Sequence, residues 1–152
     1  MKLFFDTNIL LDVLAKRDPF YKDSARLWTL AERRQVEASI STLSLNNIYY
    51  IIRKASDKHK AHEASIILRN IFDLVAPDQK IVNQAIDAVI DDFEDAVQFY
   101  SAIRVQANYL ITRNTDDFPK NQIPIMPPDE FLATQIAGEK PDIIEERKTP
   151  HT

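Results

Sequence analysis

Short apolar runs alternate along this chain with longer segments whose apolar residues recur at helical spacing, and that alternation leaves few architectures open. Lys2 to Phe5 reads as a strand feeding a helix from about Thr7, with Ile9, Leu10, Val13 and Leu14 in one stripe. Pro19 suits the first turn of a second helix, which Phe20, Ala25, Leu27, Trp28, Leu30 and Ala31 carry to about Arg34. Val36 to Ser41 reads as a strand, followed by a helix from about Ser44 that turns Leu45, Ile48, Tyr49, Ile51 and Ile52 inward. Another helix spans about Lys60 to Phe72. Leu74 to Ala76 is the next strand, stopped by Pro77, which opens a helix through Ile81, Val82, Ala85, Ile86 and Val89. Asp92 to Ala107 is amphipathic, with Phe93, Ala96, Val97, Tyr100, Ile103 and Ala107 on one side, and precedes a strand from Tyr109 to Thr112. Ile123 to Met126 suits an edge strand, and Pro127-Pro128 starts a last short helix through Phe131 and Leu132. Strands separated by helices join as parallel neighbours, so the expected fold is α/β: a three-layer α/β/α sandwich around a mainly parallel sheet.

With 152 residues and 45% hydrophobic content, the chain fits one domain, taken here as residues 1–137. Residues 138–152 are charged and proline-containing, and we expect a flexible or docking tail there. Asp6 comes too early for a secretory apolar segment and nothing approaches a membrane span, so a soluble, cytoplasmic protein is expected. The absence of cysteine removes disulfides, thiolate catalysis and cysteine-based zinc sites. The only glycine is Gly138, which argues against the glycine-rich phosphate loops of Walker-type ATPases and dinucleotide dehydrogenases. A formal charge of −4 gives no global attraction to nucleic acid. The balance reverses locally between Tyr50 and Asn70, where Arg53, Lys54, Lys58, Lys60 and Arg69 outnumber Asp57 and Glu63. That stretch is either a solvated helix face or a phosphate-contacting patch. His59 and His62 share a helix face but lack further ligands for a metal.

Two of the strands end in acidic, amide-rich loops: Phe5 runs into Asp6-Thr7-Asn8, and Thr112 runs into Arg113-Asn114-Thr115-Asp116-Asp117-Phe118. In a parallel sheet both loops lie at the carboxyl edge, where such folds bind their ligands. Glu94-Asp95 opens the late helix that leads into the second of these strands. Carboxylates gathered at such an edge suit a hard divalent cation, Mg²⁺ or Mn²⁺, which takes oxygen ligands and offsets their repulsion. Taken singly, each has a plainer explanation. Asp92, Glu94 and Asp95 suit a helix N-terminus, Asp6 an N-cap, and Asn114 and Asp117 a turn. Three separate segments placing acids at one edge favour the shared site. Asp12 and Asp116 are expected to support it or to be solvated.

The Asp6-Thr7-Asn8 start, the Glu94-Asp95-Ala96 helix opening and the Thr112-Arg113-Asn114 strand end continuing to Asp117-Phe118 resemble the PIN-domain nucleases, including the VapC-type toxins of toxin–antitoxin pairs. The resemblance runs from Lys2 to about Phe131 in the family's order. It implies an α/β/α sandwich and Mg²⁺- or Mn²⁺-dependent cleavage of RNA. Asp6, Asp95 and Asp117 match the family's acids as catalytic and metal-binding residues, and Asn114 matches a polar metal-binding position. Thr7, Asn8, Glu94 and Asp116 would support the site, with Arg53, Lys54 and Arg113 as candidate RNA contacts. A homodimer and an antitoxin partner are implied too. The chain departs from the pattern at one place: Asn47 stands where the family usually has a glutamate early in the third helix. An amide oxygen can coordinate a hard cation but brings no charge and no general base. The competing function is therefore a PIN-like module that binds RNA or a protein partner without cutting. A haloacid-dehalogenase phosphatase is disfavoured because Asn8 stands where its second aspartate belongs, and a receiver domain lacks its lysine.

Overall fold

The computed structural model describes residues 1–135, so the predicted tail over 138–152 lies outside them. The chain runs β1 (Lys2–Phe5), α1 (Thr7–Leu14), α2 (Tyr21–Glu32), β2 (Glu37–Ser41), α3 (Thr42–Ala55), α4 (Lys58–Ile71), β3 (Asp73–Val75), α5 (Gln79–Asp87), α6 (Phe93–Arg104), β4 (Tyr109–Ile111) and β5 (Ile125–Met126). A 3-10 turn over Thr115–Asp117 follows β4, and residues 128–135 are helical. The strands form one sheet in the order β3-β2-β1-β4-β5, every pair parallel. β1 lies at the centre, and the order reverses between its two neighbours.

Period-two alternation in the strands builds the layers. Leu3, Phe5, Ile40 and Ile111 pack with Ile9, Leu10, Leu27, Trp28, Ile48 and Leu68 on one face. Phe4 and Leu110 point the other way, against Phe99 and Ala102 of α6. A central strand buried on both faces must be apolar at consecutive positions, which is what Leu3-Phe4-Phe5 provides, each fully buried.

All of α1 to α6 except α2 begin on side-chain caps. Asp6, Ser41, Asp57, Asp78 and Asp92 each accept a hydrogen bond from the backbone of the helix they open, worth about 1 kcal/mol apiece. Ser41 is both the last residue of β2 and the cap of α3, so α3 starts at Thr42 rather than near Ser44, with no loop between. Pro77 precedes α5, but Asp78 is its cap. α5 ends at Asp87, short of the predicted reach to Val89, because Asp92 must be extended to cap α6. Val89 is consequently fully exposed. Phe93 and Ile51, also expected inward, are exposed as well.

Candidate functional site

At the carboxyl edge of the sheet, between α1, α3, the start of α6 and the loop after β4, lies a cleft of about 1070 Å³. It is the place where the strand order reverses, the usual ligand site of an open parallel sheet. Asp6 forms its floor. The Asp6 backbone N–H donates to the Ile111 carbonyl at 3.0 Å, which fixes the residue at the end of β1. One carboxylate oxygen accepts from the Thr7 N–H at 2.7 Å and the other from the Thr112 hydroxyl at 2.8 Å. Those two bonds hold its charged form, yet burial outweighs them and pushes the Asp6 carboxyl above its ordinary range.

Asp95 and Glu94 project from the first turn of α6, whose start is fixed by Asp92 accepting from the Asp95 N–H at 2.9 Å. Because the cleft wraps around the open end of this helix, consecutive residues can both line it. Partial burial and the surrounding charges of Asp6, Asp92, Asp117 and Glu94 raise the Asp95 carboxyl to about 7. The Glu94 carboxyl is raised by burial and by Asp6 and Asp92, while its hydrogen bond from Asn47 works the other way.

The remaining expected residues divide by position. Asn8, Asn47, Lys54, Asn114, Asp116 and Asp117 line the same cleft. Asn8 Oδ1 is buried without a hydrogen-bond partner. Asn114 and Asp117 are exposed at the mouth, linked through the 3.1 Å bond from the Asp117 N–H to the Asn114 carbonyl. Asp116 is 96% exposed and pairs with Lys120. Arg53 is exposed and does not line the cleft. Arg113 turns away from it. Its guanidinium forks onto Asp12 at 2.6 and 3.2 Å and stacks 4.0 Å from the Phe20 ring centroid. Asp12 is fully buried, so its solvated reading is wrong: it is the counter-charge that holds Arg113. His59 is occupied by Glu63 at 2.9 Å, one turn along α4.

Beneath the acids sits a polar clamp of which sequence reading named only Thr7. Gln98 Nε2 donates to the Thr7 hydroxyl at 3.0 Å and the Ser44 hydroxyl at 2.7 Å, and these two hydroxyls bond each other at 2.7 Å. All three residues are buried. The clamp ties α1, α3 and α6 together, and each of its members lies within one residue or one turn of a cleft residue: Asp6, Asn47 and Asp95. Gln98 had a signal, since a polar residue among Ala96, Val97 and Phe99 needs a buried partner. Thr112 had one too, because pairing Phe5 with Ile111 brings position 112 beside position 6.

Among the described residues, no three His, Asp or Glu side chains converge closely enough to chelate an ion directly. The donor set nevertheless fits a hydrated hard cation. Mg²⁺ keeps several waters and takes only one or two carboxylates. Asp6 and Asp95 can supply those, and among the described residues Lys54 is the only cation lining a cleft that carries seven aspartates and glutamates.

A protein-family model for the PIN domain matches residues 2–116. The chain belongs to the PIN-domain family. Among solved structures it resembles the VapBC2 complex from Rickettsia felis bound to a promoter DNA fragment, with a TM-score of 0.63 at 19% identity, covering 82% of this chain and 97% of that one. A toxin–antitoxin complex from Klebsiella pneumoniae gives 0.65 at 21% identity, covering 83% and 97%. The sarcin-ricin-loop-cleaving toxin VapC20 of Mycobacterium tuberculosis gives 0.59 at 16% identity, covering 71% and 86%. These likenesses establish the PIN fold. No curated protein sequence matches this chain. Among the described residues no helix is long and apolar enough to cross a membrane.

Proposed function

We propose that this PIN domain is a divalent-metal-dependent ribonuclease, acting as the toxin of a toxin–antitoxin pair. The observation that carries the proposal is the gathering of Asp6, Glu94, Asp95 and Asp117 in one cleft at the carboxyl edge of the sheet, where partial burial and the neighbouring acids also raise the Asp95 carboxyl. A protein maintains such repulsion at the carboxyl edge of a sheet for a ligand that relieves it. When bound, Mg²⁺ or Mn²⁺ lowers the pKa of a water and neutralises phosphate charge. Asp6 and Asp95 would hold the ion, with Asp117 and Asn114 at the mouth as further oxygen donors. Lys54, at the rim, meets a phosphate of the incoming RNA, and the Thr7–Ser44–Gln98 clamp keeps the helices from spreading under the repulsion. The toxin role and the antitoxin partner rest on the likeness to toxin–antitoxin complexes, and a homodimer on the family resemblance alone.

The test is cleavage of a mixed-sequence RNA by the full chain with and without Mn²⁺. Activity that appears with Mn²⁺, disappears with EDTA and is absent in Asp95→Asn supports the nuclease. RNA binding without any cleavage at millimolar Mn²⁺ would instead identify a binding module, the function that Asn47 favours.

A further inference from the structure

Asn47 leaves α3 without a carboxylate in the cleft, and the structure shows where its amide goes instead. Asn47 Nδ2 donates to Glu94 Oε1. A carboxylate can only accept and an amide oxygen would be repelled by it, so the nitrogen of Asn47 must face Glu94. The bond crosses from α3 to the first turn of α6 and holds a half-buried carboxylate whose other oxygen stays available. Both residues line the cleft that contains Asp6 and Asp95. We infer that Glu94 is the fourth anionic group of the metal site and that Asn47 is its positioning residue, the chain having moved this charge from α3 to α6.

The inference rests on the metal-dependent reading above and makes a symmetric prediction. Glu94→Gln keeps an oxygen to accept from Asn47 and removes only the charge. Glu94→Gln combined with Asn47→Glu rebuilds the same pair in mirror image, with an amide on α6 donating to a carboxylate on α3. If the charge is what the site requires and either helix can carry it, the double variant recovers what the single one loses.

Isothermal titration with Mn²⁺ on the full chain tests this, with circular dichroism to verify folding. We expect Glu94→Gln to weaken Mn²⁺ binding about tenfold and the double variant to return to within about threefold of the parent. Asp95→Asn, which removes a charge central to the site, reports separately on the metal reading itself. If the parent binds Mn²⁺ and Asp95→Asn does not, while Glu94→Gln binds like the parent, the role of Glu94 is refuted and the metal site stands. A double variant as weak as Glu94→Gln also refutes the exchange of positions. A parent that binds no Mn²⁺ at millimolar concentration overturns the metal reading and this inference with it. Should the double variant fail to fold, Glu94→Gln alone decides, since it preserves the contact to Asn47.

Discussion

Removing the charge of Asp95 should stabilise the metal-free protein, and the size of the effect follows from the cleft. Its carboxyl is raised from 3.8 to about 7 by partial burial and by Asp6, Asp92, Asp117 and Glu94. In a fully sheltered site a displacement of that size would cost about 4 kcal/mol on ionisation. Asp95 is only partly buried, and screening by water reduces this to about 2 kcal/mol. Asp95→Asn forfeits the attraction of a negative charge to the positive end of α6, about 0.5 kcal/mol. Relief of the burial cost and of repulsion is the larger effect and leaves a net gain of about 1.5 kcal/mol at pH 8.

The pH dependence has a definite sign. The folded carboxyl holds its proton to higher pH than the unfolded one, so between pH 4 and 7 the native state binds more protons and loses stability as pH rises. The amide that replaces it in the variant does not titrate. The advantage of Asp95→Asn should therefore grow from about 0.5 kcal/mol at pH 5 to about 1.5 kcal/mol at pH 8, the latter a rise in Tm of about 3–6 °C. Thermal melts of both proteins in EDTA across this range measure it. Millimolar Mn²⁺ should reverse the order, because only the parent gains binding energy by mass action. A difference that is flat between pH 5 and 8, or a variant that melts below the parent at pH 8 in EDTA, would refute the argument from crowded charge.

Asn47→Glu alone puts two carboxylates in contact with no donor between them, and it should melt about 2–6 °C lower than the parent at pH 8 in EDTA while binding Mn²⁺ at least as tightly by titration. Arg113→Ala strands the fully buried Asp12 without its main counter-charge and should cost about 3–5 kcal/mol in a urea melt; a loss under about 1 kcal/mol would mean that Arg17, 3.9 Å from the same carboxylate, suffices. Lys54→Ala should weaken binding of a single-stranded RNA to the Asp95→Asn protein and lower the salt slope by about one contact, whereas Arg53→Ala should change neither. Equal effects of the two substitutions would place the RNA along the outer face of α3.

What could be read from the sequence was what local pattern dictates. Leu3-Phe4-Phe5 had to be a doubly covered strand, and the acid immediately after it had to stand at the sheet edge. Positions in contact across the fold were harder to read. Asp12 lies on a short helix and looks like any solvated turn of it; only Arg113, 101 residues away, makes it a core residue. Ile51, Val89 and Phe93 continue apolar stripes that predict burial, but α5 stops early and the cleft opens beside α3, so all three are exposed. The bond between Asn47 and Glu94 depends on how α3 and α6 pack at the rim. No periodicity encodes that. A helix spacing argument also holds that neighbours such as Glu94 and Asp95 diverge, and it fails at a helix end that protrudes into a cavity.

Two helices aim their N-termini at this cleft, and the energies show why that is insufficient to balance it. α1 begins at Thr7 under the cap of Asp6, and α6 begins at Phe93 under the cap of Asp92. Each offers the carboxylates a positive end worth about 0.3–1 kcal/mol. Burial, with the neighbouring acids adding to it, outweighs this, which is why Asp6, Glu94 and Asp95 are all raised rather than lowered. Arg113 stands near enough to Asp6 to favour its charge, but it is committed to Asp12 and cannot enter the cleft. Lys54 is exposed at the rim. Among the described residues, the positive groups at or near the cleft are thus a pair of helix ends that is too weak, an arginine already paired and a lysine at the rim, and the deficit is located at Asp6 and Asp95. On the reading proposed above, a divalent cation would meet that deficit in a way a fixed lysine could not, since it would also carry waters to a phosphate that the acids alone repel.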